Sequence, residues 1–331
     1  MEQQYRFAIA GSGTYLPSRI VEASELDQLT GASAGSTRQR FGVERRHYAG
    51  PDETSSKMAA AAARAALAEA DWDGAQLDVI IAACGVMEQP LPSTAVLVQR
   101  ELGLGRSGIP AFDINASCLS FLQALDRVLA GFALGQWQRA LIVCADIASA
   151  VLDYSHPEAA VLFGDGAAAI ALQAGGPHSC LAQRFRTYGE SADICRLDAG
   201  GTRLRPQDDL PGFLRSAKFH MDGPAVFRAT SRRFPAFITE LLHAANVTPQ
   251  ALSCILPHQA SGTALEHLKR SLDGGHAKTV DLFAEVGNLI ATSLPFTLHV
   301  ARQRGLLNSG EQTLLVGSSA GISLGGAVIR W

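Results

Sequence analysis

A chain of 331 residues with 47% hydrophobic and 18% charged residues can bury a large core, which excludes a disordered chain. The net charge of −3 leaves no basic excess, so no nucleic-acid or anionic-membrane partner is expected. No apolar run approaches the ~18 residues that span a bilayer, and the polar start Met1-Glu2-Gln3-Gln4-Tyr5-Arg6 lacks the apolar stretch of a signal peptide.

Short apolar runs alternate with Ala-rich helical stretches, the pattern of an α/β protein with buried strands. In chain order the spacing predicts a strand over 7–11, a helix over 55–70, strands over 79–83 and 111–114, a helix over 118–134, and strands over 141–145 and 168–172. A second series follows: helix 227–245, strand 254–257, helices 262–271 and 294–305, then strands 313–317 and 327–330. Each helix repeats its apolar positions at intervals of three and four, which marks one buried face. Gly11-Ser-Gly13 after the first strand suggests a truncated dinucleotide loop. Without a third glycine or a well-placed acidic residue ~20 positions on, no nucleotide site is expected there. Arg38, Arg40, Arg45 and Arg46 form a basic cluster able to meet a phosphate, with a solvated surface as the default reading.

The two series repeat each other. Ala70 to Ile80 parallels Ala245 to Ile255 at an offset of 175, and Leu141-Ile-Val143 parallels Leu314-Leu-Val316 at an offset of 173. The turn-rich stretch Gln173–Pro177 places the seam, giving halves over 1–173 and 174–331. Two such halves about a pseudo-twofold axis bring the loop before Cys118 together with the loop holding Gly287-Asn288.

Six cysteines (84, 118, 144, 180, 195 and 254) show no C-x-x-C pair and no His at zinc-ligand spacing, so no metal site is expected. Cys84, Cys144 and Cys254 lie in apolar runs, which suits the reducing cytoplasm. Cys118 differs, following a strand and an Asn115-Ala-Ser turn at the predicted start of a helix. There the helix dipole favours a thiolate, and free backbone N–H groups suit an oxyanion. This context leaves a buried structural cysteine equally open. His258 ends the strand-like Ile255-Leu-Pro-His258 and Asn288 follows a glycine in Val286-Gly287-Asn288. A strand end is where α/β sheets present side chains to a crevice, yet either residue read alone is also an ordinary structural His or turn Asn. Phe163-Gly-Asp165-Gly166 reads as a tight turn, with Asp165 forming the turn.

Taken in order, Asp113-Ile-Asn-Ala-Ser-Cys118-Leu-Ser-Phe121, Leu162-Phe-Gly-Asp-Gly166, Pro257-His258-Gln-Ala260, Gly287-Asn288 and Gly317-Ser-Ser-Ala-Gly321 resemble the thiolase-superfamily condensing enzymes, specifically β-ketoacyl-ACP synthase III. The resemblance covers essentially the whole chain, Glu44-Arg-Arg-His47 included. It implies the five-layer αβαβα thiolase fold, a cytoplasmic homodimer, no cofactor, and an acyltransferase of fatty-acid, lipid or polyketide synthesis. It makes Cys118 the nucleophile that takes an acyl group from acyl-CoA or an acyl carrier protein, with His258 and Asn288 polarising a malonyl thioester as it loses carbon dioxide. The backbone N–H groups of Cys118 and Ala320 become the oxyanion hole. Leu91, Phe163, Arg40, Ser261 and Ser318 become substrate-binding positions, Leu91 reaching into the partner's acyl pocket.

The sequence also departs from that pattern. Ser36 stands where the family has a CoA-stacking tryptophan, Pro157 near a CoA-contacting arginine, Ser261 and Thr263 where Asn and Arg are usual, and Ser318-Ser-Ala320 for Phe-Gly-Gly. These changes point away from plain acetyl priming. Two rivals follow from the resemblance: head-to-head condensation without decarboxylation, or acyl transfer to oxygen or nitrogen, on the same fold, and a catalytically silent partner subunit. The head-to-head branch carries a glutamate where this chain has Leu91, with Glu88 close by.

Overall fold

The computed structural model of the protein describes residues 5–272 and 277–331. Ten strands form one mixed sheet. Its order is Lys278–Thr279, Leu252–Pro257, Gln312–Ser319, Ser323–Arg330, His178–Thr187, Tyr5–Tyr15, Gly166–Ala174, Arg139–Asp146, Val79–Ala82 and Ala111–Asp113. The order reads the same outward in both directions from the seam where Tyr5 pairs with Cys180. On each side the first two junctions are antiparallel and the next two parallel. Arg139–Asp146 and Gln312–Ser319 occupy equivalent places and keep the sequence offset of 173. The repeat legible in the sequence is therefore a repeat of sheet topology.

Strand residues alternate between two cores, as a pleat buried on both faces requires. Val79, Ile81, Ile142 and Cys144 face an inner core shared by both halves, with Leu256, Leu315, Phe121 and Leu294. Ile80, Leu141 and Val143 face the outer helices Ser55–Ala70 and Thr94–Glu101, while Leu314 and Val316 face Gly223–Ala245 and Gly262–Ser271 on the far side. The helices Ser120–Ala133 and Ser293–Gln303 supply the middle of this five-layer αβαβα arrangement. Among the described residues no helix is long and apolar enough to cross a membrane.

The helix over 55–70 forms where the periodicity puts it, capped by the Thr54 hydroxyl, which accepts from Lys57 N–H at 3.4 Å. The helix expected over 227–245 starts earlier, at Gly223, because Asp222 caps it on Ala225 N–H and Pro224 fits its first turn. Gly11-Ser-Gly13 is no loop: the first strand runs through it to Tyr15. A Cβ at Gly11 would lie 2.0 Å from Ala66 O, and one at Gly13 2.2 Å from Ala62 O, so these glycines let the strand pack directly on the Ser55–Ala70 backbone. Gly11→Ala should lower stability by about 1–3 kcal/mol or more, read as a fall in urea midpoint. Gly105→Ala, with nothing within 4 Å of its Cβ position, should stay within about 0.5 kcal/mol.

Candidate active site

Cys118 sits at the end of a strained elbow rather than inside a helix. The helix begins at Ser120, two residues later than expected, and Ser117 before the cysteine has φ +51. Local bonds hold the elbow: Asn115 Oδ1 accepts from Ser117 N–H at 2.9 Å, and Ser120 Oγ accepts from Ala116 N–H at 2.9 Å. Ser120 Oγ also donates to Ser117 O at 2.6 Å. The sequence supplies these partners within five residues, so the turn is largely self-made.

The second half delivers Asn288 against the first. Asn288 N–H donates to Leu162 O at 2.9 Å and its carbonyl accepts from Gly164 N–H at 3.2 Å, a bridge that pairs it with Phe163. Its side-chain Oδ1 accepts from Ile290 N–H at 2.9 Å, which fixes the amide so that Nδ2 points toward Ala260 O at 3.4 Å. Ala260 lies two residues beyond His258, so the His and Asn segments meet. His258 continues the strand Leu252–Pro257, donating N–H to Val316 O at 2.8 Å. A Cβ at Gly317 would lie 2.6 Å from His258 Cβ and 3.4 Å from Leu119, the neighbour of Cys118. A Cβ at Gly85 would meet both Ile290, on the Asn288 loop, and the Ser117 carbonyl carbon. The three candidate residues thus converge on one cleft between the halves.

The electrostatics correct one expectation. Burial pushes the Cys118 thiol well above the ordinary thiol range, and the Cys195 thiol and Asp146 carboxylate push the same way. The N–H groups of Cys118 itself and of Ala320 pull against them without prevailing. Desolvation therefore works against a preformed thiolate, and the helix begins two residues beyond the half-buried Cys118. Ala320 is nonetheless brought to the sulfur, from the turn joining Gln312–Ser319 to Ser323–Arg330. Burial also pushes His258 down to about 4, so its imidazole is neutral at pH 7, and Nδ1 has no protein partner among the described residues.

The five positions expected to bind substrate fall differently. Phe163 is buried, edge-to-face with Phe219 at 5.2 Å, beside Asn288. Ser318 is half-buried in the strand that leads to Ala320. Ser261 caps the helix Gly262–Ser271, its hydroxyl accepting from Ala264 N–H at 3.2 Å. Arg40 is exposed and pairs with Glu158 at 3.4 Å, next to Pro157 in the short helix Pro157–Ala160. Leu91 is 85% exposed and touches no part of this site. Glu88 accepts from Ser56 N–H at 2.7 Å, at the N-terminus of the Ser55–Ala70 helix.

Three buried groups escaped the sequence reading. Arg46, expected at a solvated surface, is completely buried and bonds backbone carbonyls beneath Gly287. Asp146 closes the strand Arg139–Asp146, where a carboxylate after six consecutive apolar residues was the available signal. Asp165, expected to form a turn, is buried and accepts from Ala49 and Ser149 N–H groups at 2.8 and 2.9 Å. All six cysteines are free.

Comparisons with known proteins now have a geometry to stand on. The family models for 3-oxoacyl-[acyl-carrier-protein] synthase III and its C-terminal part match residues 112–189 and 242–331. The chain is 35% identical to the β-ketoacyl-[acyl-carrier-protein] synthase III of Rhodospirillum rubrum, covering 98% of this chain and 99% of that one. It is also 35% identical to the acetoacetyl CoA synthase NphT7 of a Streptomyces species, with 98% and 99% covered. The crystal structure of 3-oxoacyl-[acyl-carrier-protein] synthase III from Aquifex aeolicus superposes with a TM-score of 0.88 at 29% identity, covering 98% of this chain and 100% of that chain.

Because His258 titrates near 4, acylation of Cys118 should hold steady from about pH 8 to 6 and fall only as pH nears about 4, where the imidazole gains a proton and can no longer accept one. Stopped-flow acylation across that range reads it; a loss centred near the ordinary His value of about 6.5 would contradict the buried, neutral imidazole.

Proposed function

The chain belongs to the 3-oxoacyl-[acyl-carrier-protein] synthase III family and is an acyl-transferring condensing enzyme of the decarboxylative Claisen type; from that premise we propose how its residues divide the work. Cys118 carries the acyl group, His258 and Asn288 polarise the malonyl thioester, and the N–H groups of Cys118 and Ala320 hold the oxyanion. The observation that carries this reading is the meeting of the His258 and Asn288 segments with Leu119 and Ser117, the neighbours of Cys118, across the two halves, where backbone N–H groups at a nucleophile suit a tetrahedral oxyanion.

In the first half-reaction the Cys118 sulfur attacks the donor thioester carbonyl. Its proton passes to the neutral His258 as the S–C bond forms, which suits a thiol that burial keeps protonated. The tetrahedral oxyanion collapses and expels the donor thiolate, which takes up the proton. In the second, the malonyl thioester carbonyl accepts hydrogen bonds from His258 and Asn288 Nδ2. The bond to the carboxylate breaks, carbon dioxide leaves, and its electron pair becomes the enolate. The enolate carbon attacks the Cys118 acyl carbon, and the C–S bond breaks to give the β-ketoacyl product and restore the thiol after protonation. The long 3.4 Å contact of Asn288 Nδ2 with Ala260 O is one that a substrate oxygen readily replaces. No cofactor is required, because the broken C–C bond supplies the electrons.

The engagement of Glu88 with Ser56 N–H favours this route over head-to-head condensation, which needs a free carboxylate base. For the donor, we propose a CoA or carrier-protein thioester entering on the Arg40 side; the pairing of Arg40 with Glu158 supports weaker CoA contact than the family pattern implies. We propose a homodimer in which the partner covers Leu91, the most exposed of the large apolar side chains.

Cys118→Ala should abolish acyl-enzyme formation in intact-mass spectra taken after incubation with a panel of acyl-CoA and acyl-carrier thioesters. Asn288→Ala should cut malonyl-CoA decarboxylation by about 10²-fold or more while sparing Cys118 acylation, whereas His258→Ala should slow both half-reactions, since the imidazole takes the thiol proton in the first and donates to the malonyl carbonyl in the second. Equal loss of both half-reactions in Asn288→Ala would refute this division, and absence of carbon dioxide with any malonyl donor would refute the decarboxylative route.

A further inference from the structure

The Gly287-Asn288 turn is flanked by two buried charged side chains, Arg46 and Asp146; among the described residues neither forms a salt bridge, though the Glu285 carboxylate acts on Arg46 through space. Ahead of the turn lies Arg46. Its Nη1 donates to Phe283 O at 2.9 Å and Ala284 O at 3.2 Å, in the short helix Phe283–Val286 that leads into the turn, and its Nε donates to Val161 O at 3.1 Å. A Cβ at Gly287 would lie 2.4 Å from Arg46 Nε, so the guanidinium is the floor on which the turn rests, at φ +76. Arg46 Nη2 is buried without a partner. Beyond the turn lies Asp146. Its Oδ2 accepts from Thr292 N–H at 3.2 Å and Thr292 Oγ1–H at 3.0 Å, and its Oδ1 accepts from Gly85 and Val86 N–H at 2.8 and 2.9 Å. All four bonds give a donor to the carboxylate, so an amide in its place would set its own NH₂ against N–H and O–H donors.

We propose that Arg46 and Asp146 are positioning residues for the condensation step, two buried charges of the first half that fix the Asn288 turn of the second from either side. A hydrophobic core would hold a turn as firmly but not in one orientation. Hydrogen bonds from a planar guanidinium and into a carboxylate specify direction, and in a dry site their loss leaves groups without partners. The surrounding dipoles hold both groups: four carbonyls accept from Arg46, whose Nη2 stays without a partner, and four donors meet Asp146. Ile290, between Asn288 and Thr292, is held at φ +52, a conformation a β-branched residue adopts only under such restraint. The inference rests on the reading of Asn288 as a group that polarises the malonyl thioester.

The test compares half-reactions in the full-length enzyme. Arg46→Lys and Asp146→Asn should each slow malonyl-CoA decarboxylation by about 10²-fold, while acyl-CoA loading of Cys118, followed by intact mass, changes less than about fivefold. The double variant Asn288→Ala with Asp146→Asn should be no slower than Asn288→Ala alone, since both act through one amide. Equal losses in the two half-reactions, or multiplying effects in the double variant, would overturn the proposal. Asn288→Ala alone separates the two ideas. If it spares loading as expected and the double variant multiplies, only the bracket fails; if it impairs loading as much as decarboxylation, the role of Asn288 fails and the bracket with it. Where Asp146→Asn does not fold, Thr292→Val removes a single hydroxyl donor and should show the same split at about 3–10-fold; its absence would overturn the proposal.

Discussion

Asn288 exchanges backbone hydrogen bonds with Leu162 and Gly164, and this join between the halves sets the geometry of the site. Everything on the second-half side of the cleft is referred to it. Asn288 Oδ1 ties down Ile290, Nδ2 reaches the His258 segment, and Thr292 continues to Asp146. Everything on the first-half side is referred to the same place, because Gly85 packs between Ile290 and the Ser117 elbow. On the proposed division of roles, a nucleophile from one half and a polarising pair from the other can share a substrate only if this join is rigid.

Rigidity here comes with desolvation, and desolvation sets the chemistry. Burial favours the neutral forms of both the Cys118 thiol and the His258 imidazole. A neutral pair suits an enzyme whose two steps need opposite things: a proton acceptor during acylation and a hydrogen-bond donor during decarboxylation. An imidazolium would serve the second step and fail the first. Burial also raises Asp146 to about 6, against the pull of the Val86, Gly85 and Thr292 donors. Arg46, lowered by burial to about 9, stays charged at neutral pH. Ions this costly to bury imply a requirement that packing alone does not meet.

The eight strands expected from apolar runs all exist, because a strand buried on both faces leaves an unmistakable continuous hydrophobic signature. His178–Thr187 went unread: Arg184, Arg186 and Gln183 break the run, yet the strand pairs with both Ser323–Arg330 and Tyr5–Tyr15 at the centre of the sheet. The short helices Ala23–Thr30 and Thr94–Glu101 also escaped, being too brief for their periodicity to register. Of the site, Cys118, His258 and Asn288 were named from ordered motifs. Arg46 and Asp146 were not, because a buried ion looks in sequence like any surface charge until its surroundings are known.

The sequence by itself determined the elements and their repetition. Apolar periodicity is a local property, and an offset of 173 between Arg139–Asp146 and Gln312–Ser319 is countable without coordinates. It also determined much of the Ser117 elbow, three of whose hydrogen bonds close within a few residues, while those of Asn115 and Ser120 to Gly85 O and Cys84 O come from the fold. The tertiary structure alone decided protonation, orientation and which polar side chains are buried. Those depend on groups more than a hundred residues apart, such as Asp146 with Thr292 and Arg46 with Phe283, and on the water their meeting excludes.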